Sequence, residues 1–190
     1  MCVFCGSNAG RSPAFAGAAR DLGEALAAAG LGLVYGGGNV GLMGVVADAT
    51  LAAGGEVIGV IPEALMAKEL GHRGCTELRV VASMHERKAL MADLADGFVA
   101  LPGGLGTFEE LCEVLTWSQL GFHAKPVVLL DVDGFWAPFA ALLDTAVDAG
   151  FLRPPNRDLA RRVANPQEAL RALAAPPPLP THKWIDRDQT

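Results

Sequence analysis

The stretch GFVALPGGLGTFEELCEVL, residues 97–115, carries three kinds of pattern in a row. A short apolar run reads as a buried strand, PGGLGT reads as a tight turn, and the spacing of apolar residues after it reads as a helix. Strand, glycine turn and helix in that order form half of a parallel βαβ unit. The same alternation recurs along the 190-residue chain. Strands are expected at about 1–5, 31–35, 56–61, 77–82, 97–101, 126–130 and 160–164. Helices are expected at about 13–29, 41–53, 84–95, 107–120, 135–149 and 166–174, with a short one near EALMAKEL. The expectation is an α/β, Rossmann-like doubly wound parallel sheet in a single domain over 1–175. A Pro-rich C-terminal tail follows at 176–190 and should leave the core as extended chain.

Composition narrows the function classes. A hydrophobic fraction of 51% with 23 glycines and 19% charged residues suits a compact enzyme-sized domain rather than a disordered chain. The net charge of −6 gives no basic stripe for nucleic acid, though a local cluster of donors could hold a small phosphorylated ligand. The opening MCVFCGS reads as a strand, not a signal peptide, and charges interrupt every apolar stretch. A cytoplasmic protein without membrane insertion is expected. Cys2 and Cys5 lack the second pair or histidines that a zinc site needs, so no metal is expected and the thiols read as buried and free.

In an open parallel sheet the ligand lies beyond the carboxyl ends of the strands, so the loops that follow strands are searched first. CGSNAGRS offers Gly6 for close backbone approach and the Ser7 hydroxyl. YGGGNVGLMG, residues 35–44, satisfies G-x-G-x-x-G at Gly36, Gly38 and Gly41. The acidic partner of a dinucleotide site is missing, because Glu56 begins its strand and Glu63 comes late. The loop, with Gly37 and Gly38, therefore reads as a backbone cradle for a smaller nucleotide. In PGGLGT, Gly103, Gly104 and Gly106 can take positive φ and present amides to a phosphate at the start of a helix. Thr107 and Glu110 fit a capping box equally well, so Glu110 reads either as a helix cap or as a catalytic carboxylate. Ser83 and Glu86 fit a second capping box, and Glu86 reads as structural. Arg87 and Lys88 follow it in the first turns of a helix, where the macrodipole disfavours cations, so an anion nearby is expected: Glu110 or a bound phosphate. His123, Asp131 and Asp133 read as helix-terminal and turn residues, and Trp117 as core.

PGGLGTFEE resembles the PGGxGTxxE motif of the LOG ("Lonely Guy") proteins, cytokinin riboside 5′-monophosphate phosphoribohydrolases often labelled lysine decarboxylases. VFCGSNAG, LVYGGGNVGLMG, MHERKALM, TWSQLGFHAKPVVLL and NPQEALRAL occur in that family's order, and the likeness runs from residue 1 to about 174. The resemblance implies hydrolysis of the N-glycosidic bond of a nucleoside 5′-monophosphate, a homodimer, and no cofactor. It carries the essential arginine to Arg87 and the essential glutamate to Glu110. Met84, Lys88 and residues 103–107 fall at the nucleotide site. On this reading the 5′-phosphate sits on the GGLGT amides and the Thr107 hydroxyl, Glu110 faces the ribose, and Arg87 holds Glu110 ionised. Decarboxylation usually needs pyridoxal phosphate on a lysine, and of Lys68, Lys88, Lys125 and Lys183 only Lys88 is expected near the site. The competing reading is a non-hydrolytic nucleotide or molybdenum-cofactor carrier of the same fold.

Overall fold

A computed structural model of the chain describes residues 1–69 and 71–175. The tail expected at 176–190 lies outside the described residues. Seven strands, β1 (Cys2–Phe4), β2 (Leu33–Tyr35), β3 (Val57–Pro62), β4 (Glu77–Val81), β5 (Phe98–Ala100), β6 (Val127–Leu130) and β7 (Ala160–Val163), form one sheet in the order β4-β3-β2-β1-β5-β6-β7. Every pairing is parallel. The connecting helices are α1 (Pro13–Ala28), α2 (Gly41–Ala52), α3 (Glu63–Glu69), α4 (Met84–Leu94), α5 (Leu105–Leu120), α6 (Ala137–Asp148), α7 (Pro154–Arg157) and α8 (Pro166–Ala174). The single doubly wound sheet is the expected fold.

Strand side chains alternate between the faces, so the central strands feed two cores. Cys2, Phe4, Phe98 and Ala100 pack with Met91 of α4, Leu111 of α5 and Trp136. Val3, Cys5, Val99 and Leu101 pack on the other side with Leu22 and Leu26 of α1 and Val46 of α2. Trp136 is fully buried, and its indole N–H donates to the Ala100 carbonyl at 3.1 Å, so its polar atom is satisfied inside the core. Sequence signals located the helix ends where side chains cap them. Asn165 accepts from the Glu168 amide at 2.9 Å, and the Glu168 carboxylate accepts from Ala164. The one-turn α7 was not anticipated, since four residues opening on two prolines show no period.

The chain builds outward from β1 to the edge strand β4, then returns to place β5 on the other side of β1. That reversal leaves a crevice between the loops after β1 and β5, the position where doubly wound sheets hold ligands. Its walls depend on how closely α1 and α2 pack. A Cβ at Gly23 of α1 would come within 2.6 Å of the Val46 carbonyl and 2.9 Å of Thr50 Oγ1. Gly23→Val is therefore expected to lower stability by about 1–3 kcal/mol through overpacking. Urea unfolding should show a lower midpoint with an unchanged slope, and a wild-type midpoint would refute the close contact.

Candidate active site

The loops after β1 and β5 are laced together through their backbones. The Gly6 amide donates to the Pro102 carbonyl at 3.1 Å, and the Gly6 carbonyl accepts from Leu42 at 3.0 Å. Any side chain at Gly103 would overlap Thr107 Oγ1 and press on the Gly6 nitrogen, so glycine is required for this approach. Above the contact lies a crevice of about 260 Å³ lined by Gly6, Ser7, Asn8, Gly103 and Gly104, with Phe15 and Phe135 among its apolar walls. Helices α1, α2 and α5 all begin at its rim. No side chain caps α2 or α5; the Leu42 amide of α2 is taken by the Gly6 carbonyl, so it is the first amides of α5 that are left for a ligand, and helix starts favour an anion.

Two expectations for PGGLGT change here. Helix α5 begins at Leu105, with Gly104 as its extended N-cap residue, two positions earlier than the sequence suggested. Gly103, Gly104 and Gly106 therefore do not take positive φ; Gly106 is already helical. Thr107 becomes the third helical residue and Glu110 the sixth, beyond the reach of a capping box. Glu110 is no cap. The second box does form, with the Glu86 amide donating to Ser83 Oγ at 3.1 Å and the Glu86 carboxylate accepting from the Ala82 amide at 2.8 Å.

Glu110 is only 9% exposed and faces Arg87, 7% exposed, with Arg87 Nη2 3.9 Å from Glu110 Oε1. The arginine is fixed by backbone: Nε donates to the Val60 carbonyl at 3.1 Å, Nη2 to the Gly36 carbonyl at 3.0 Å, and Nη1 lies 3.7 Å from the Met84 sulfur. A Cβ at position 36 would overlap Nη2, so Gly36 makes room for the guanidinium. Burial pushes the Glu110 carboxyl up to about 7, against the opposing pull of Arg87. Arg87 pulls Glu110 toward the ionised form, the direction expected of it, but burial outweighs that pull. Two of the three guanidinium nitrogens, Nε and Nη2, donate to carbonyls, and at 3.9 Å the arginine's charge does not outweigh desolvation.

Lys88 goes elsewhere. Its ammonium donates to Glu109 at 2.7 Å and to Glu113 at 3.0 Å, bracing α4 against α5. Burial alone would lower its pKa, but the two carboxylates prevail and hold it above the ordinary lysine value. The anions expected near the two cations are thus three glutamates of α5: Glu110 for Arg87, Glu109 and Glu113 for Lys88. Adjacent Glu109 and Glu110 point to different partners, as their helical spacing requires. Met84 and the Gly36 loop join Arg87 and Glu110, while Gly6, Ser7, Gly103 and Gly104 join the crevice. Asp131 accepts from the Trp136 amide, Asp133 from the Ser12 hydroxyl, and His123 Nε2 lies 2.9 Å from the Val114 carbonyl, all local structural roles. Trp117 packs against the core and also lines a cavity of about 430 Å³ with Ala89, Ala92 and Phe122. The sequence reading missed Phe15, Phe135 and His72, whose surroundings depend on distant segments. Among the described residues no group of three His, Cys, Asp or Glu side chains is placed to hold a metal ion, and no helix is long and apolar enough to cross a membrane.

The raised carboxyl has a consequence for stability. Between about 4.5 and 7 the folded protein keeps a proton on Glu110 that the unfolded chain has lost, so this group's contribution falls as pH rises through that window. Glu110→Gln does not titrate and escapes the loss. The variant should gain stability over wild type progressively across that window, by on the order of 3 kcal/mol at its upper end. Paired thermal melts across the window check this, and parallel profiles would contradict the buried charge.

A model of the family described as "Possible lysine decarboxylase" matches residues 43–173. Cytokinin riboside 5′-monophosphate phosphoribohydrolase LOG7 of Arabidopsis thaliana is 50% identical over 173 residues, covering 91% of this chain and 80% of that protein. The LOG enzyme of Oryza sativa subsp. japonica is 55% identical over 157 residues, 83% of this chain and 65% of that protein. Among solved structures, the molybdenum cofactor carrier protein MCP from Chlamydomonas reinhardtii superposes with a TM-score of 0.69 at 26% identity, covering 91% of this chain and 94% of that one. With half of its residues shared with curated members across most of its length, the chain belongs to the LOG family, to which the description "possible lysine decarboxylase" is attached.

Proposed function

We propose that the protein hydrolyses the N-glycosidic bond of cytokinin riboside 5′-monophosphates, and of AMP, releasing the free base and ribose 5-phosphate. The observation that carries this is the buried Arg87–Glu110 pair, whose glutamate stands on the same helix whose start borders the crevice at Gly103 and Gly104, on a chain about half identical to named phosphoribohydrolases. The 5′-phosphate sits on the first amides of α5, with Gly103, Gly104, Gly106 and Thr107 around it and Gly6 and Ser7 opposite. Gly37, Gly38 and Met84 border the ribose and base. Glu110 in its ionised form orients a water and stabilises positive charge as the C1′–N bond breaks toward the base. The water oxygen bonds to C1′ and its proton passes to Glu110. Glycoside hydrolysis usually employs two carboxylates. A single group that titrates near neutrality can instead take the water's proton and yield it again, to the base or to solvent, within one cycle. Arg87 fixes the carboxylate without quenching its basicity, and Lys88 braces the helix that carries it. No cofactor enters this scheme.

The same reading makes the protein a cytoplasmic homodimer without nucleic-acid partners. The cavity beside Trp117 and Phe122, whose lining also includes Asp93, His123 and Lys125, supports a second copy as its cover, and the net charge of −6 supports the lack of nucleic acid. The carrier reading is supported by the fold likeness to MCP, but at 26% identity against about 50% for the hydrolases it is the weaker one.

Base release from N6-isopentenyl-AMP and AMP tests the proposal. Glu110→Gln should fold and lose activity by at least about 100-fold. Gly36→Ala, which drives the guanidinium off its carbonyl, should lose activity in the same direction. Tight AMP binding with no base release by wild type would favour the carrier. The wild-type kcat/KM should rise with pH and level off above about 7, because the ionised carboxylate is the working form. A flat profile across that range would remove Glu110 from the chemistry.

A further inference from the structure

His72 lies in the irregular segment between α3 and β4, and nothing in its sequence surroundings marks it. It is 6% exposed, and every polar atom it offers there is used. Its backbone amide donates to the Gly37 carbonyl at 2.9 Å, and the residue before it, Gly71, forms an antiparallel bridge with Gly38. Ring Nδ1 accepts from the Gly74 amide at 3.1 Å, and ring Nε2 lies 2.9 Å from Asp48 Oδ1. An amide can only donate, so the Gly74 contact puts the ring proton on Nε2, which donates to Asp48. Residues 71–76 are thereby fastened to α2 through Asp48 and to the glycine loop through Gly37. Two further bonds hold the far end of this strap: the Val57 amide donates to Thr76 Oγ1 at 3.0 Å, and Cys75 Sγ lies 3.3 Å from the Tyr35 hydroxyl.

The loop so clamped is the one that seats Arg87. Gly36 supplies the carbonyl under Nη2, and Gly37 follows it in a left-handed conformation, φ +74°, which glycine takes without a Cβ penalty and which turns its carbonyl to the His72 amide. We propose that His72 is a positioning residue for Arg87: by clamping residues 71–74 between α2 and the glycine loop, it sets the Gly36 carbonyl and with it the guanidinium opposite Glu110. The effect on rate rests on the hydrolytic reading above; the effect on arginine placement does not. His72 does not line the crevice between β1 and β5, so the affinity of that crevice for inorganic phosphate is independent of it.

The test uses the full chain with His72→Ala, His72→Asn and Asp48→Ala. Asparagine can still accept from the Gly74 amide but cannot reach Asp48, so it separates the two ring contacts. Arg87 Nε–H, bonded to the Val60 carbonyl, gives a nitrogen–proton NMR resonance that reports arginine placement without substrate. In His72→Ala this resonance should shift and kcat should fall by about 10- to 100-fold. Inorganic phosphate affinity should stay within about twofold of wild type. His72→Asn and Asp48→Ala should lie between the two. An unmoved Arg87 resonance in His72→Ala overturns the proposal, as does a kcat equal to wild type in a protein that cleaves. Loss of inorganic phosphate affinity in step with kcat also overturns it, since that reports general loosening. If the resonance shifts and even wild type releases no base, the positioning role stands and the hydrolytic reading falls.

Discussion

Desolvation of one carboxylate organises this molecule. Glu110 sits in the second turn of α5 with its side chain turned under the carboxyl ends of the strands, where water is excluded and its ionised form is disfavoured. Without Arg87 the site would hold a plain neutral acid. With Arg87 at hydrogen-bonding distance it would hold an ordinary salt bridge, ionised throughout the physiological range. The observed 3.9 Å separation lies between these limits and leaves a carboxyl poised near neutrality. That balance depends on Arg87 being held away from a closer bond, which the carbonyls of Val60 and Gly36 accomplish.

The sheet topology places this pair beside a phosphate-sized opening. Returning the chain from β4 to β5 puts the two loops that flank β1 side by side, and glycines at positions 6 and 103 let their backbones touch. Three helix starts then face one crevice. The outer face of α5 is braced by Lys88 between Glu109 and Glu113, so the helix presents its amides to the crevice and Glu110 to Arg87 from one rigid element. A buried charge pair of this kind is weak support for stability, and the rest of the core has to tolerate it.

Much of this was legible in the sequence, for identifiable reasons. The alternation of apolar runs and helical patterns is a local signal, and all seven strands and the longer helices fell where it placed them. The loops after β1, β2, β4 and β5 stood out because glycine and small polar residues gathered at strand ends mark places where the backbone is approached closely, and Gly6, Gly36 and Gly103 are approached in this way. The failures concern distances between segments. T-F-E-E satisfies a capping box on paper, yet nothing local reveals that α5 starts at Leu105, since the N-cap there is a glycine with no side chain to read. Lys88 adjoins Arg87 in sequence but is rotated about 100° from it around α4 and meets two other glutamates of α5. The ionisation of Glu110 is a burial property, and His72 matters only through contacts with residues 24 and 35 positions away.

The central claim is that residue 110 faces the ribose while the phosphate rests on the start of α5. The most direct measurement is a crystal structure of Glu110→Gln with AMP bound, in which cleavage is blocked but the side-chain shape is kept. The account predicts the phosphate on the amides after Gly104, with C1′ of the ribose turned toward the residue 110 amide and within reach of one water. AMP bound with its phosphate away from α5, or with C1′ directed away from residue 110, would contradict it.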